Sequence, residues 1–174
     1  MLKNKTMKLT LTAMFIALAL VSPFLTAQVP TIGQMLTPMH FPVILGAIFL
    51  GPIYGLTIGV VSPLLRFLLF SIPQFPMAMT MTFELAAYGF VVGLFFYLLS
   101  KKNINFILNI FVSLIIGMII GRLIFAAFAM IFLNATNYFT VFLVTFTGSF
   151  IGIILQLILI PILAIRLKKY VETT

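Results

Sequence analysis

The fold turns on the reading of His40-Phe41-Pro42-Val43-Ile44-Leu45-Gly46-Ala47-Ile48-Phe49-Leu50-Gly51-Pro52-Ile53-Tyr54-Gly55. Its first part is an apolar helical run of about 11–14 residues, whereas a bilayer-spanning helix needs about 20. Gly51-Pro52 followed by Gly55 is a turn signal. Two readings compete. Residues 40–50 and 54–70 form a tilted hairpin, two crossings joined by a shallow turn, or the whole region is one broken span. The first gives six transmembrane helices and the second five.

The basic residues decide between them. Lys and Arg flanking membrane helices mark the cytoplasmic side. They form three clusters: Lys3/Lys5/Lys8, Lys101/Lys102 and Arg166/Lys168/Lys169. Six helices put all three on one side, with both termini cytoplasmic. Five helices would put the first and last on opposite faces. The sequence therefore predicts an all-α membrane protein, a six-helix bundle forming a single integral domain over residues 1–174.

Working outward, helix 1 covers residues 9–27 and a loop with Pro30, Gly33 and Pro38 covers 28–39. Helix 2 is 40–50, and helix 3 is 54–70 with Pro63 as a kink. Residues 71–76 are a loop, helix 4 is 77–100, and Lys101-Lys102-Asn103 is a polar turn. Helix 5 is 105–133, residues 134–138 are a loop, and helix 6 is 139–167. The N-terminal lysines, the apolar run and Ala27 have features of a signal peptide. The length of the run and Pro23 within it favour a retained first helix. Small residues recur four apart at Gly51/Gly55/Gly59, Gly89/Gly93, Gly117/Gly121 and Gly148/Gly152, a spacing that lets helix backbones approach in lipid.

Composition agrees. Of the residues, 63% are hydrophobic and 7% charged, against about 25% charged in soluble domains. A soluble enzyme is excluded, and six spans leave no room for a nucleotide-binding domain. The net charge of +8 would suggest nucleic-acid binding in a soluble chain; here it marks topology, and no nucleic-acid partner is expected. With no Cys and one His, neither a thiolate nor a multi-His metal site can form. No catalytic motif is present and no cofactor is called for.

Three charges fall inside helices: Arg66, Glu84 and Arg122. Intramembrane charges cost about 2.5–3.5 kcal/mol each on insertion scales, face the bundle interior, and commonly mark a site or pathway. Counting about 1.5 Å per residue from the helix ends puts Arg66 and Glu84 roughly 6–10 Å below the outer surface and Arg122 roughly 16 Å. Arg66 and Glu84 are expected to pair, either as a helix lock or as part of a site. The triad sums to +1, which suits an anionic or polar ligand. Tyr88 lies one turn from Glu84 on the same face. His40 begins helix 2, and Gln34 and Tyr138 lie in loops that share the outer side.

At these residues the chain resembles the substrate-binding S components of energy-coupling factor (ECF) vitamin transporters, over essentially its whole length. The resemblance is carried by Thr12-Ala13-Met14-Phe15-Ile16-Ala17-Leu18-Ala19, by Met35-Leu36-Thr37-Pro38-Met39-His40-Phe41-Pro42-Val43, and by the turn Leu50-Gly51-Pro52-Ile53-Tyr54-Gly55. Pro63-Leu64-Leu65-Arg66 and Phe83-Glu84-Leu85-Ala86-Ala87-Tyr88-Gly89 complete it. It implies a prokaryotic plasma-membrane subunit that catalyses nothing itself. Such a subunit captures a small-molecule vitamin near the outer face and works with a transmembrane coupling subunit and two ATPases. Ala13 and Ala17 would form the docking face for the coupling subunit. Arg66, Glu84, Tyr88 and Arg122 would line the pocket, with Gln34 and His40 in a lid and Phe75 and Tyr138 over the apolar part of the ligand. Absence of Trp departs from the thiamin-binding members, and the N-terminal Met-His ligands of the nickel and cobalt members are missing. The +1 triad favours a carboxylate-bearing vitamin such as pantothenate, with pyridoxine- or pyrimidine-type ligands open. The rival readings are a stand-alone secondary transporter and a structural membrane assembly protein.

Overall fold

A computed structural model describes residues 5–26, 29–102 and 104–172. Lys3, Ala27, Gln28 and Asn103 fall outside them. The elements are α1 (Lys5–Val21), a 3-10 turn (Ser22–Thr26), α2 (Pro30–Leu36), α3 (His40–Leu50), α4 (Pro52–Phe70), α5 (Met77–Ser100), α6 (Phe106–Phe132), α7 (Tyr138–Gly148) and α8 (Phe150–Glu172). Among the described residues there is no strand, and six stretches are long and apolar enough to cross a bilayer.

The decisive hairpin is present. Gly51 ends α3 and begins α4 at φ 100, a left-handed backbone that glycine adopts without steric cost. Pro52 then opens α4 at its first position, where a missing N–H is harmless. The loop expected over residues 28–39 is instead largely helical. Pro30 starts α2, which ends at Thr37 in a left-handed turn, and α3 follows after two residues. The second apolar crossing is therefore Thr31–Leu50, 20 residues long, which removes the shortfall that had made helix 2 ambiguous.

The last apolar stretch also differs from expectation. A single helix over 139–167 is replaced by α7 and α8, broken at Gly148–Ser149. Asn137 caps α7 by accepting from the Thr140 N–H at 3.1 Å. No residue of α7 is buried, so it lies on the outside of the bundle. Residues 138–172 as one helix would run about 52 Å, far beyond a hydrocarbon core of about 30 Å.

α5 is the centre of the bundle, packed by α3, α4 and α6. Gly55 of α4 faces the Gly89 backbone of α5, and Gly59 faces the Leu85 carbonyl, so a Cβ at either glycine would meet main chain. The expected small-residue spacing thus serves backbone contact. Gly121 of α6 makes room for the Tyr88 ring, and Gly152 of α8 for the main chain at Met35 and Leu36. Gly148, expected to pack like its partner, faces nothing.

The basic clusters gather at one end, as six crossings require. Lys8, Gly51, Pro52, Tyr54 and Tyr97 line a common cavity of about 210 Å³. Lys101 sits over the Tyr97 ring at 4.5 Å. Lys168 sits over Phe106 at 4.5 Å, and Phe106 meets Phe96 edge to face.

Candidate ligand site

Glu84 points from α5 into the bundle and is 2% exposed. Its Oε1 lies 2.7 Å from Arg122 Nη1 of α6 and 3.7 Å from His40 Nε2 at the start of α3. The second terminal nitrogen of Arg122 donates to Ser149 Oγ at 2.6 Å. Tyr88 meets the His40 ring edge to face at 4.8 Å. Four of the eight predicted ligand residues, Glu84, Tyr88, Arg122 and His40, are therefore assembled.

A second polar pair adjoins them. Thr37 accepts from Gln156 Nε2 of α8 at 2.7 Å, and its carbonyl accepts the His40 N–H at 3.1 Å. Ser149, Gly152 and Gln156 lie at i, i+3 and i+7, one face of a helix. That face of α8 meets Arg122 at one point and the α2–α3 corner at the other. Breaking the helix at Ser149 is what brings its hydroxyl to Arg122.

The expected Arg66–Glu84 pair does not form, and this corrects both the lock and the +1 triad. Arg66 Nη1 donates to the Leu20 carbonyl at 3.0 Å, and its guanidinium lies 5.4 Å from the Phe24 ring and 5.6 Å from Phe70. Leu20 is in the last turn of α1, where helix carbonyls lack an i+4 N–H. A cation there is favoured by the helix dipole. Arg122, which residue counting puts deeper than Glu84, reaches it across from α6 with Nη1 at 2.7 Å.

The other predicted residues stand apart. Gln34 is exposed on α2 and Phe75 is exposed in the segment between α4 and α5. The Tyr138 hydroxyl donates to the Leu123 carbonyl at 3.0 Å, next to Arg122 along the chain but away from Glu84's set of partners. Ala13 and Ala17 are both exposed along one side of α1. Sequence reasoning did not single out Ser149 or Thr37. The i, i+3, i+7 spacing was the available signal.

Several atoms of this cluster are buried without a hydrogen-bond partner: both ring nitrogens of His40, Arg122 Nε and Gln156 Oε1. Buried polar groups are nearly always paired, and leaving one unpaired costs about 1–3 kcal/mol. The orphans of the cluster lie on three elements, α3, α6 and α8; Ser62 Oγ on α4 is a further one outside it.

Residues 7–164 match the family model described as ECF transporter, substrate-specific component. No curated protein and no solved structure matches the chain.

Proposed function

The chain belongs to the substrate-specific components of ECF transporters, and from that premise we propose that it captures a vitamin or vitamin precursor for ATP-driven uptake at the cluster around Glu84 and Arg122. The orphaned polar atoms of His40, Arg122 and Gln156 carry this reading. Arg122 and Glu84 hold the frame, Tyr88 and His40 offer ring faces and hydrogen bonds, and Gln156 offers an acceptor. Gln34 and Phe75, on segments beside the site, act as lid residues, and Tyr138 fixes α7 against α6.

Both termini are cytoplasmic, with the basic end of the bundle facing anionic lipid and cytoplasm in a prokaryotic plasma membrane. The exposed Ala13/Ala17 stripe of α1 receives the transmembrane coupling subunit, because small residues let a second helix approach closely. Two ATPase subunits supply the energy, and the chain itself hydrolyses nothing. The candidate ligands are of pyridoxine or pyrimidine type; pantothenate, favoured on the +1 count, loses that ground with Arg66 held at Leu20.

Native mass spectrometry of the detergent-purified chain is the direct test. A co-purified small molecule that is lost in His40→Ala supports capture. A chain that carries nothing, and whose melting temperature moves with no member of a vitamin panel, sinks it. Uptake that survives Ala13→Trp with Ala17→Trp rejects the docking face, and uptake without any ATPase partner favours a secondary transporter.

A further inference from the structure

Accepting that the cluster is the ligand site, we infer that the ligand is uncharged, a small heterocycle or polyol that presents both hydrogen-bond donors and acceptors, and that carboxylates are excluded. The charge count leads there. Arg66 is committed to Leu20, Phe24 and Phe70, so the charges of the site are Glu84 and Arg122, which cancel. Between the carboxylate and the guanidinium the site has no net charge to offer an anion.

The geometry agrees with the count. An arginine grips a carboxylate through two adjacent N–H groups in a fork. Arg122 has already placed Nη1 at Glu84 and Nη2 at Ser149. The end-on pair of terminal nitrogens is thus engaged, and a side-on fork through Nε would have to share a terminal nitrogen already held by Glu84 or Ser149. A ligand carboxylate would also sit beside the Glu84 carboxylate, itself buried, with no surplus cation to offset the repulsion.

What the site does offer is mixed. Arg122 Nε is a donor, Gln156 Oε1 an acceptor, and the two ring nitrogens of His40 are further unpartnered polar atoms. Hydroxyl, amide, aminopyrimidine and hydroxypyridine groups complement that set. The Tyr88 and His40 rings, 4.8 Å apart at right angles, give a flat ligand an aromatic surface.

The test uses matched probes that differ in charge: panthenol against pantothenate, pyridoxine against 4-pyridoxate, and nicotinamide against nicotinate. Each is titrated against the full chain in nanodiscs by calorimetry, with thermal unfolding as a second readout. In at least one pair the neutral member should bind about tenfold or more tighter than its carboxylate, a difference easily resolved. In Glu84→Gln, which leaves the site one positive charge, the preference should shift toward the carboxylate by a similar factor. Tighter binding of the carboxylate member to the unaltered chain overturns the inference while leaving ligand capture intact. No binding by any member of the three pairs rejects the capture reading and this inference with it. If Glu84→Gln fails to fold, the paired affinities of the unaltered chain decide alone.

Discussion

Arg66 and Arg122 are the same residue, both buried, both inside membrane helices, and they are satisfied in opposite ways. Arg122 meets a carboxylate on α5 and a serine at the break between α7 and α8. Arg66 meets one carbonyl and two phenyl rings. Around the first, polar atoms on α3, α6 and α8 are left without partners; beside the second, one turn along α4, Ser62 Oγ is left so. Arg66 ties the end of α1 to α4. Under the proposed function, Arg122 holds the frame of the ligand site.

The contrast can be broken by substitution. Arg122→Met should have the largest effect, because it strands the Glu84 carboxylate. Breaking a buried pair costs about 3–5 kcal/mol, read as lower thermal stability in detergent and loss of any bound molecule. Arg122→Met combined with Glu84→Met should be more stable than Arg122→Met alone, since neither charge is left behind; a double variant as unstable as the single would remove the pair from the explanation. Arg66→Met strands no charge. It should cost about 1–2 kcal/mol, a charged hydrogen bond and its ring contacts less the relief from burying a cation, with ligand affinity unchanged. Phe24→Leu keeps the hydrogen bond and removes one ring, so about 0.5–1 kcal/mol is expected. If Arg66→Met abolished binding as Arg122→Met does, the division between the two arginines would be wrong.

Height in the membrane was legible in the sequence, and azimuth was not. Apolar run lengths and the three basic clusters give six crossings and one basic end, both present in the structure. Arg66 and Glu84 do sit at similar heights by residue count. Which neighbour a side chain reaches depends on helix rotation and on where other chain ends stop. The free carbonyls at the end of α1 leave no trace in composition. The break at Gly148–Ser149 lies within a continuous apolar run, so hydropathy passes over it. Hydroxyls such as Ser149 and Thr37 are hard to read because serine and threonine in membrane helices commonly bond back to their own helix. Thr145 and Thr147 do so here.

The backbone contact of Gly55 with Gly89, and of Gly59 with Leu85, has a mechanical consequence. Two helices that touch through side chains can slide past each other as rotamers change. Two that touch through main chain behave like meshed gears, because moving one residue along brings a Cβ against a carbonyl. α4 and α5 must then travel as a single piece, carrying Glu84 and Tyr88 with them. The parts that meet this piece through side chains are α3, where Gly46 faces Ile58, and α6, where Gly117 faces Val92 and Gly121 faces Tyr88, and any motion that admits or releases a ligand falls to them and to the elements they carry.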